Sequence, residues 1–302
     1  MTAAGAGGDP ASTGGAAAGS AGAPAAGMGG SSGSSGGTSG SPSAGVGGTG
    51  DACPNNPLKT APGPCGCDTT ADQEAACQAL IAGLAHRYSF SGTGTTVKDS
   101  KGTSDATAIN LSLSNTGNLD FTTGDQYADL PNAMISTLTN VTLEAWVTWQ
   151  GGNAWQRIFD FGEDSTGNEN SRGTGRSYIF VAPHGDGNFV RAVFRKPDTP
   201  EIIIDSMPSL TVGDPAQVVL VLDDEHDSMA LYVNGAASGT AAFTDHLSNV
   251  HDINNWLGRS QFAADPAFVG NMQEFRVYSV ALSAAQVAFS SSKGADATIF
   301  TP

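Results

Sequence analysis

From residue 87 onward the chain repeats one pattern, in which short apolar or alternating segments are separated by clusters of Gly, Asn, Asp and Pro. Segments of this kind are typical of β-strands, and almost no helical periodicity lies between them. The predicted strands are 87–90, 107–113, 118–121, 126–130, 141–149, 157–161, 178–181, 189–195, 201–205, 217–222, 229–233, 255–257 and 272–279. Many short strands at close spacing indicate an all-β, two-sheet antiparallel sandwich rather than a parallel α/β sheet.

The order of segments in the last third of the chain resembles a known family. Residues 229–235 read Met-Ala-Leu-Tyr-Val-Asn-Gly, residues 256–259 read Trp-Leu-Gly-Arg, and residues 271–283 read Asn-Met-Gln-Glu-Phe-Arg-Val-Tyr-Ser-Val-Ala-Leu-Ser. Together with residues 86–90, His-Arg-Tyr-Ser-Phe, this order resembles the laminin G-like jelly roll of the concanavalin A-like lectin and glucanase superfamily over residues 86–289. The resemblance implies a jelly-roll sandwich. Because that fold hosts both sugar-binding proteins and sugar-cleaving enzymes, function has to be argued from a site.

The N-terminal part of the chain has a different composition. Its first 50 residues are almost entirely Gly, Ala, Ser, Thr and Pro, with Asp9 as the only charged side chain. Since so little apolar surface cannot offset the entropy of ordering, we predict a disordered low-complexity stalk over residues 1–52. A Cys-rich segment at 53–85 then precedes the predicted jelly roll at 86–295, and residues 296–302 form a C-terminal tail.

The four cysteines, Cys53, Cys65, Cys67 and Cys77, are crowded into the segment before the predicted sandwich. A bridge between Cys65 and Cys67 would close a very small ring, which leaves two pairings open. These are Cys53–Cys65 with Cys67–Cys77, or Cys53–Cys67 with Cys65–Cys77. A zinc site is the rival interpretation, but the spacing lacks the paired C-x2-C arrangement of zinc ribbons.

Two capping boxes predict the only helices. Thr70-Ala-Asp-Gln73 precedes a segment whose apolar residues recur at helical spacing, and Ser283-Ala-Ala-Gln286 starts a helical turn near the C-terminus. We expect the first to be a short helix, held by a disulfide and packed against the sandwich.

The formal net charge of -16 excludes several classes of partner. An acidic surface repels phosphate backbones and anionic headgroups, so neither nucleic acid nor a membrane surface is an expected partner. No segment approaches the apolar length of a transmembrane helix, and Met1 does not begin a signal peptide. The stalk and the clustered cysteines nevertheless suggest a secreted or cell-surface protein in an oxidising compartment. We expect its export signal, of lipoprotein type, to lie upstream of Met1.

The chain lacks the catalytic pattern of the glucanases in this superfamily. Those enzymes carry a Glu-x-Asp-x-Glu cluster on one strand, which aligns the carboxylates on one face. No two glutamates of this chain have that spacing, and the acidic run 223–227 falls where a hairpin should turn. The five histidines are scattered. We therefore predict no catalytic residues.

Sugar binding needs aromatic faces and planar polar groups on a sheet or its rim. Trp149 and Trp155 flank a Gln-Gly-Gly-Asn turn, and a tryptophan next to a turn is harder to explain as a core residue. Trp146 and Trp256 are assigned to the core. The long polar segment 162–176 is either functional or merely tolerated. The predicted ligand-binding residues are Trp149, Asn153, Trp155, Arg157, Tyr178 and Arg191.

One structural calcium ion is the cofactor that the resemblance makes plausible. Asp99, in the loop after the first strand, and Glu274, in the last strand, are the predicted ligands. The alternative is that Asp99 forms an Asx turn and that Glu274 pairs with an arginine across the sheet.

The preferred functional hypothesis is a non-catalytic binding module, exported or at the cell surface, that attaches to glycans or to another surface protein. One alternative is a carbohydrate-active enzyme that assembles its carboxylates from different strands. The other is a structural surface protein with protein partners. The missing carboxylate cluster favours the first over the enzyme.

Overall fold

A computed structural model describes residues 52–56, 59–122 and 124–300. The expected stalk at 1–52, apart from Ala52, lies outside the described residues. The strands are β1 (Leu84–Tyr88), β2 (Thr93–Gly94), β3 (Thr96–Val97), β4 (Ala106–Ile109), β5 (Leu113–Ser114), β6 (Leu119–Phe121), β7 (Tyr127–Leu130), β8 (Asn140–Trp149), β9 (Phe159–Asp164), β10 (Gly175–Ala182), β11 (Val190–Arg195), β12 (Ile202–Ser206), β13 (Pro215–Asp223), β14 (Ser228–Val233), β15 (Ala236–Ala242), β16 (Asn254–Leu257) and β17 (Gly270–Tyr278).

The strands form two large antiparallel sheets. The 7-stranded sheet has the order β1-β17-β8-β13-β14-β15, with β6 also paired to β17. The 8-stranded sheet has the order β12-β11-β10-β9-β16-β7-β4-β3, and β2 and β5 form a small separate pair. The predicted two-sheet sandwich is confirmed. β1 begins at Leu84, two residues before the expected domain boundary.

The main core lies between the two sheets and is filled by alternate residues of each strand. On β10, Ile179 and Val181 point into this core, whereas Tyr178 and Phe180 belong to a separate cluster on the other face of the same sheet. The alternation therefore places a cluster of buried aromatic side chains on the outer face of the 8-stranded sheet.

A second core covers the outer face of the 7-stranded sheet. Helix α1 (Ala71–Gly83) and helix α2 (Ala284–Lys293) both begin with the predicted capping boxes, and α2 is longer than the single turn expected. Their apolar residues pack on Val219 and Tyr278 of the sheet. The chain end, expected as a tail, contributes Ile299 and Phe300 to this core. No helix in the described ranges is both long and apolar enough to cross a bilayer.

Two disulfides resolve the alternatives left open by the cysteine spacing. Cys53 is bonded to Cys67, and Cys65 is bonded to Cys77. The zinc alternative is therefore wrong, because all four thiols are used in bridges. The second bridge ties the loop before α1 to the helix itself.

Removing the Cys65–Cys77 bridge is expected to lower the free energy of unfolding by about 2–4 kcal/mol, because the bridge restricts the unfolded chain and anchors α1. Both sulfur-bearing residues are buried in the second core, at 3% and 0% exposure. The measurement is urea unfolding of the Cys65→Ser/Cys77→Ser double variant under non-reducing conditions. Wild-type stability in this variant would show that packing alone holds α1.

One long strand was not predicted from the sequence. β15 carries Ala-Ala-Ser-Gly-Thr-Ala-Ala, which has few of the β-branched and aromatic residues that favour strands. It forms because Asn234 and Gly235, with φ of 51° and 77°, make a tight hairpin turn after β14. Tertiary pairing with β14 therefore determines this strand.

Candidate ligand-binding cleft

A cleft lies on the outer face of the 8-stranded sheet. Its volume is about 230 Å³, and it is lined by side chains from the loop before β9, from β10, from the segment before β12 and from the loop after β16. The lining residues are Trp155, Arg157, Phe180, Glu201, Phe262 and Asp265. The cleft therefore combines aromatic rings with three charged side chains.

Trp155 forms one wall of the cleft. Its backbone has φ of 74°, in the left-handed region, and its N–H donates to the His184 carbonyl oxygen at 3.0 Å. A non-glycine residue in this region is held there by its surroundings and is frequent at functional sites. The half-buried indole lies 5.1 Å from the Arg191 guanidinium, which also stacks on Phe189 at 4.9 Å.

Arg157 forms the floor and is held rigidly. Its guanidinium lies 3.7 Å from the centroid of the Phe180 ring, and the residue is only 2% exposed. Nη2 donates to Asp265 Oδ2 at 2.7 Å, and Nη1 donates to the Trp155 carbonyl oxygen at 2.6 Å. Burial lowers the pKa of Arg157, and the neighbouring carboxylates oppose that shift. The guanidinium thus holds the loop that carries Trp155 and, on the opposite wall of the cleft, the side chain of Asp265.

A buried carboxylate lies behind this floor. Asp160 Oδ2 is 3.4 Å from Arg157 Nε and accepts the backbone N–H of Gln261 at 3.0 Å. Burial raises the pKa of Asp160 to about 7, although the positive charge of Arg157 opposes the rise. Arg157 is therefore flanked by Asp160 on one side and by Asp265 on the other.

Phe262 and Asp265 reach the cleft on a loop that Arg172 anchors. Arg172 Nε donates to the Ser260 carbonyl oxygen at 3.0 Å, and Nη2 donates to the carbonyl oxygens of Phe262 and Asp265 at 2.8 and 2.9 Å. Arg172 belongs to the polar segment between β9 and β10, whose role the sequence left open. This segment therefore supports the loop that carries Phe262 and Asp265. It holds the cleft wall but does not line the cleft.

Glu201, on the remaining side, is positioned by Tyr178. The Tyr178 hydroxyl donates to Glu201 Oε1 at 2.6 Å and accepts from Arg195 Nη1 at 3.3 Å. Burial, followed by the hydrogen bond to Glu201, raises the pKa of Tyr178, so the phenol stays protonated. Next to it, Arg191 makes a two-pronged ion pair with Asp205 at 2.6 and 2.7 Å.

Four of the six predicted ligand-binding residues meet on this face. Trp155 and Arg157 line the cleft, and Tyr178 and Arg191 contact its lining residues. Asn153 is exposed in the turn before Trp155 and is not among the lining residues. The participation of these residues in ligand binding stays a prediction.

The prediction that Trp149 lies on the rim of a ligand site is wrong. It is 4% exposed, its indole N–H donates to Gln156 Oε1 at 3.0 Å, and its ring stacks on His184 at 5.7 Å. It belongs to the main core because it continues the inward alternation of Leu143, Ala145 and Val147 on β8. Extending that alternation by one step would have placed it correctly.

The other two tryptophans differ from each other. Trp256 is fully buried, as predicted, with its ring 5.6 Å from that of Tyr127. Trp146 is only half-buried, because it lies on the outer face of the 7-stranded sheet and donates to Glu144 Oε1 at 3.1 Å.

Sequence reasoning missed several lining residues. Phe180 had a signal, since it lies two positions from Tyr178 on a strand and therefore shares its face. No sequence signal marked the other lining residues, Glu201, Phe262 and Asp265. They lie in two loops that are distant in sequence and that only the folded sheet brings together.

The predicted calcium ligands lie among hydrogen-bond donors. Asp99 accepts His86 Nδ1 at 2.7 Å and four backbone N–H groups, and these bonds lower its pKa although burial alone would raise it. Glu274 is buried and pairs with Arg87 and Arg276. These contacts match the alternatives of an Asx turn for Asp99 and an arginine pair for Glu274, although Glu274 Oε2 has no hydrogen-bond partner among the described residues. Calcium binding by these two residues stays a prediction.

Within the described ranges, one group of side chains has metal-ligand spacing. Ligand atoms of Asp223, Glu225 and His226 lie within 4.8 Å of one another in the turn between β13 and β14. His226 Nδ1 already contacts Asp223 Oδ2 at 2.9 Å, and its side chain is 75% exposed. This is the solvated acidic turn that the sequence predicted.

A carboxylate pair does lie on adjacent strands of the other sheet. Glu144 on β8 and Glu274 on β17 are 1% and 0% exposed and are bridged by Arg276. Arg276 Nη1 also donates to Ser290 Oγ of α2 at 3.3 Å. The pair is therefore covered by the second core and has no opening for a substrate.

Comparison with known proteins identifies the architecture. A profile described as the concanavalin A-like lectin/glucanases superfamily matches residues 121–288, which is more than half of the 302 residues. No curated protein matches this chain.

Several solved structures share the fold. A sialidase from Trypanosoma rangeli, in complex with 2,3-difluorosialic acid, is 16% identical with a TM-score of 0.54, over 72% of this chain and 37% of its own. The ligand-binding domain of botulinum neurotoxin serotype D, in complex with N-acetylneuraminic acid, is 12% identical with a TM-score of 0.54, over 72% of this chain and 52% of its own. The chain thus spans well under two thirds of either structure.

Proposed function

Because the chain belongs to the concanavalin A-like lectin/glucanases superfamily, we propose that it is a non-catalytic carbohydrate-binding module whose ligand occupies the cleft beside Trp155. The superfamily includes binders and enzymes, so the fold does not decide between them. The observation that carries the proposal is the joint presence of aromatic faces and fixed charged groups in one cleft of about 230 Å³.

The groups of the cleft match the chemistry of a sugar ring. The half-buried rings of Trp155 and Phe262 offer faces for the apolar C–H side of the ring. The carboxylates of Glu201 and Asp265 can accept hydrogen bonds from its hydroxyls. Arg157, which the ion pair with Asp265 and the contact with Phe180 hold in place, keeps this surface preorganised.

The arrangement of carboxylates supports binding without glycoside cleavage. A glycosidase needs two carboxyl groups on either side of the scissile bond. Glu144 and Glu274, on neighbouring strands, are buried and charge-paired, so they offer a substrate no such arrangement. The cleft itself holds a second pair, Glu201 and Asp265, in which Tyr178 holds Glu201 while Arg157 and Ser260 hold Asp265, an arrangement that fixes both carboxylates for binding. Release of reducing sugar from a polysaccharide panel by the purified protein would overturn this part of the proposal.

The proposed setting is outside the cell or at its surface, where glycans or glycosylated surface proteins are the partners. Two disulfides support an exported location, since such bridges persist in oxidising compartments. Adhesion through this module remains part of the same proposal.

The test is a glycan array probed with the full chain and with two tryptophan variants. Trp155→Ala is expected to weaken binding at least tenfold, because an aromatic anchor contributes about 2 kcal/mol and a tenfold loss corresponds to about 1.4 kcal/mol. Trp146→Ala is the matched control, since it removes a half-buried indole from the opposite sheet.

Thermal melts of both variants would establish that they are folded. Equal binding by Trp155→Ala and wild type would place the ligand elsewhere. Silence of the wild-type protein across the array would instead favour a protein partner.

A further inference from the structure

The side-chain oxygens that line the cleft belong to carboxylates, which accept hydrogen bonds. The guanidinium of Arg157 is directed toward protein groups: Nη1 to the Trp155 carbonyl oxygen, Nη2 to Asp265, and Nε toward Asp160 at 3.4 Å. It therefore offers the ligand little hydrogen-bonding capacity, although it lines the floor.

Each lining carboxylate keeps one oxygen for a ligand. Glu201 accepts the Tyr178 hydroxyl on Oε1, and Oε2 has no partner among the described residues. Asp265 accepts both Arg157 and Ser260 on Oδ2, and Oδ1 likewise has no partner among them. The charges of the lining residues sum to -1, from Glu201 and Asp265 against Arg157.

The aromatic walls favour the same kind of ligand. An aromatic face attracts a cation within about 6 Å of the ring centroid. The Trp155 ring already has the guanidinium groups of Arg191 and Arg157 at 5.1 and 5.9 Å, whereas Phe262 offers the cleft a further face. The net charge of -16 draws cations toward the protein and repels anions. Neutral hydroxyls can only donate hydrogen bonds to the carboxylates. A protonated amine donates the same hydrogen bonds, is attracted by the negative charge and can also contact an aromatic face.

Building on the proposed function, we infer that the cleft prefers glycans that carry a free, protonated amino group, such as 2-amino-2-deoxy sugars, over their N-acetylated forms. Acidic sugars are excluded from it. An ammonium group donates three hydrogen bonds, which suits the two free carboxylate oxygens, whereas a uronate or sialate carboxyl would face Glu201 and Asp265 with like charge. N-acetylation removes the charge and leaves one donor.

The test is calorimetric titration of the full chain at pH 6 with three oligosaccharides of equal length. These are glucosamine oligomers, N-acetylglucosamine oligomers and galacturonate oligomers. We expect the glucosamine oligomer to bind at least tenfold more tightly than the N-acetylated one, and the galacturonate oligomer not to bind.

Two variants of equal charge change locate the preference. Glu201→Gln keeps an oxygen for the Tyr178 hydroxyl but removes the negative charge, and we expect it to abolish the tenfold preference. Asp198→Asn is the matched control, because this exposed residue in the same connection does not line the cleft. It should keep the preference.

The outcomes separate this inference from the proposed function. Equal or tighter binding of neutral or acidic oligomers, still lost in Trp155→Ala, would overturn the preference and leave the carbohydrate site standing. An unchanged preference in Glu201→Gln would also overturn it. Absence of binding by every glycan tested, here and on the array, would overturn both.

Discussion

Replacing Arg276 with alanine is expected to lower the free energy of unfolding by about 3–5 kcal/mol, because it strands buried carboxylates without their counter-ion. Arg276 is fully buried, and its guanidinium contacts Glu274 Oε1 at 2.8 Å and Glu144 Oε2 at 3.2 Å. Burial alone would lower the pKa of Arg276, but the nearby carboxylates raise it. The guanidinium also donates to the Gly294 carbonyl oxygen at 3.4 Å and to that of Ala295.

The contacts of Arg276 explain why we expect one side chain to contribute so much to the free energy of unfolding. They join β8, β17 and the segment after α2, so the loss would also free the chain end from the sheet. Urea unfolding measures the change. Arg191→Ala is the control, since its ion pair with Asp205 is partly exposed and should contribute about 1 kcal/mol or less. Similar losses in the two variants would mean that burial of the Arg276 network is not what stabilises the second core.

Trp149→Ala is expected to lower the free energy of unfolding by about 3–5 kcal/mol, as is usual for removing a large buried aromatic residue. The change empties a site between the sheets and leaves Gln156 Oε1, which also accepts the Val269 N–H at 3.1 Å, with one donor fewer. Thermal or urea unfolding gives the magnitude.

The comparison with Trp155→Ala makes this prediction specific. The same substitution only six positions away should cost little stability and most of the binding, because the Trp155 indole forms a cleft wall and is only half-buried. A stable Trp149→Ala protein with impaired glycan binding would contradict the assignment of Trp149 to the core.

These two tryptophans show where sequence reasoning succeeds and where it stops. Most strand positions and both helix caps follow from local periodicity and capping chemistry, and the structure has them. Trp149 looked like a turn residue because a Gly-Gly pair follows it, whereas the alternation of β8 continues through it into the core. Strand periodicity, and not the nearby turn signal, determines the direction of this side chain.

The remainder of the cleft depends on long-range contacts. Asp265 meets Arg157 across a separation of 108 residues. Its position depends on Arg172, whose donors hold the backbone of that loop. Single-sequence patterns carry no information on such pairings. The donors around Asp99 and Glu274 likewise come from segments that only folding brings to them.

The most direct test of the carbohydrate site is a proton–nitrogen correlation spectrum of the uniformly labelled chain, which resolves one indole signal for each of its four tryptophans. Single Trp→Phe variants assign the signals, and the strongest glycan from the array is then titrated in. We expect the Trp155 signal to shift with saturation, while the signals of the core residue Trp149 and of Trp146 on the opposite sheet stay in place. A saturating shift of Trp146 with Trp155 unmoved would contradict it.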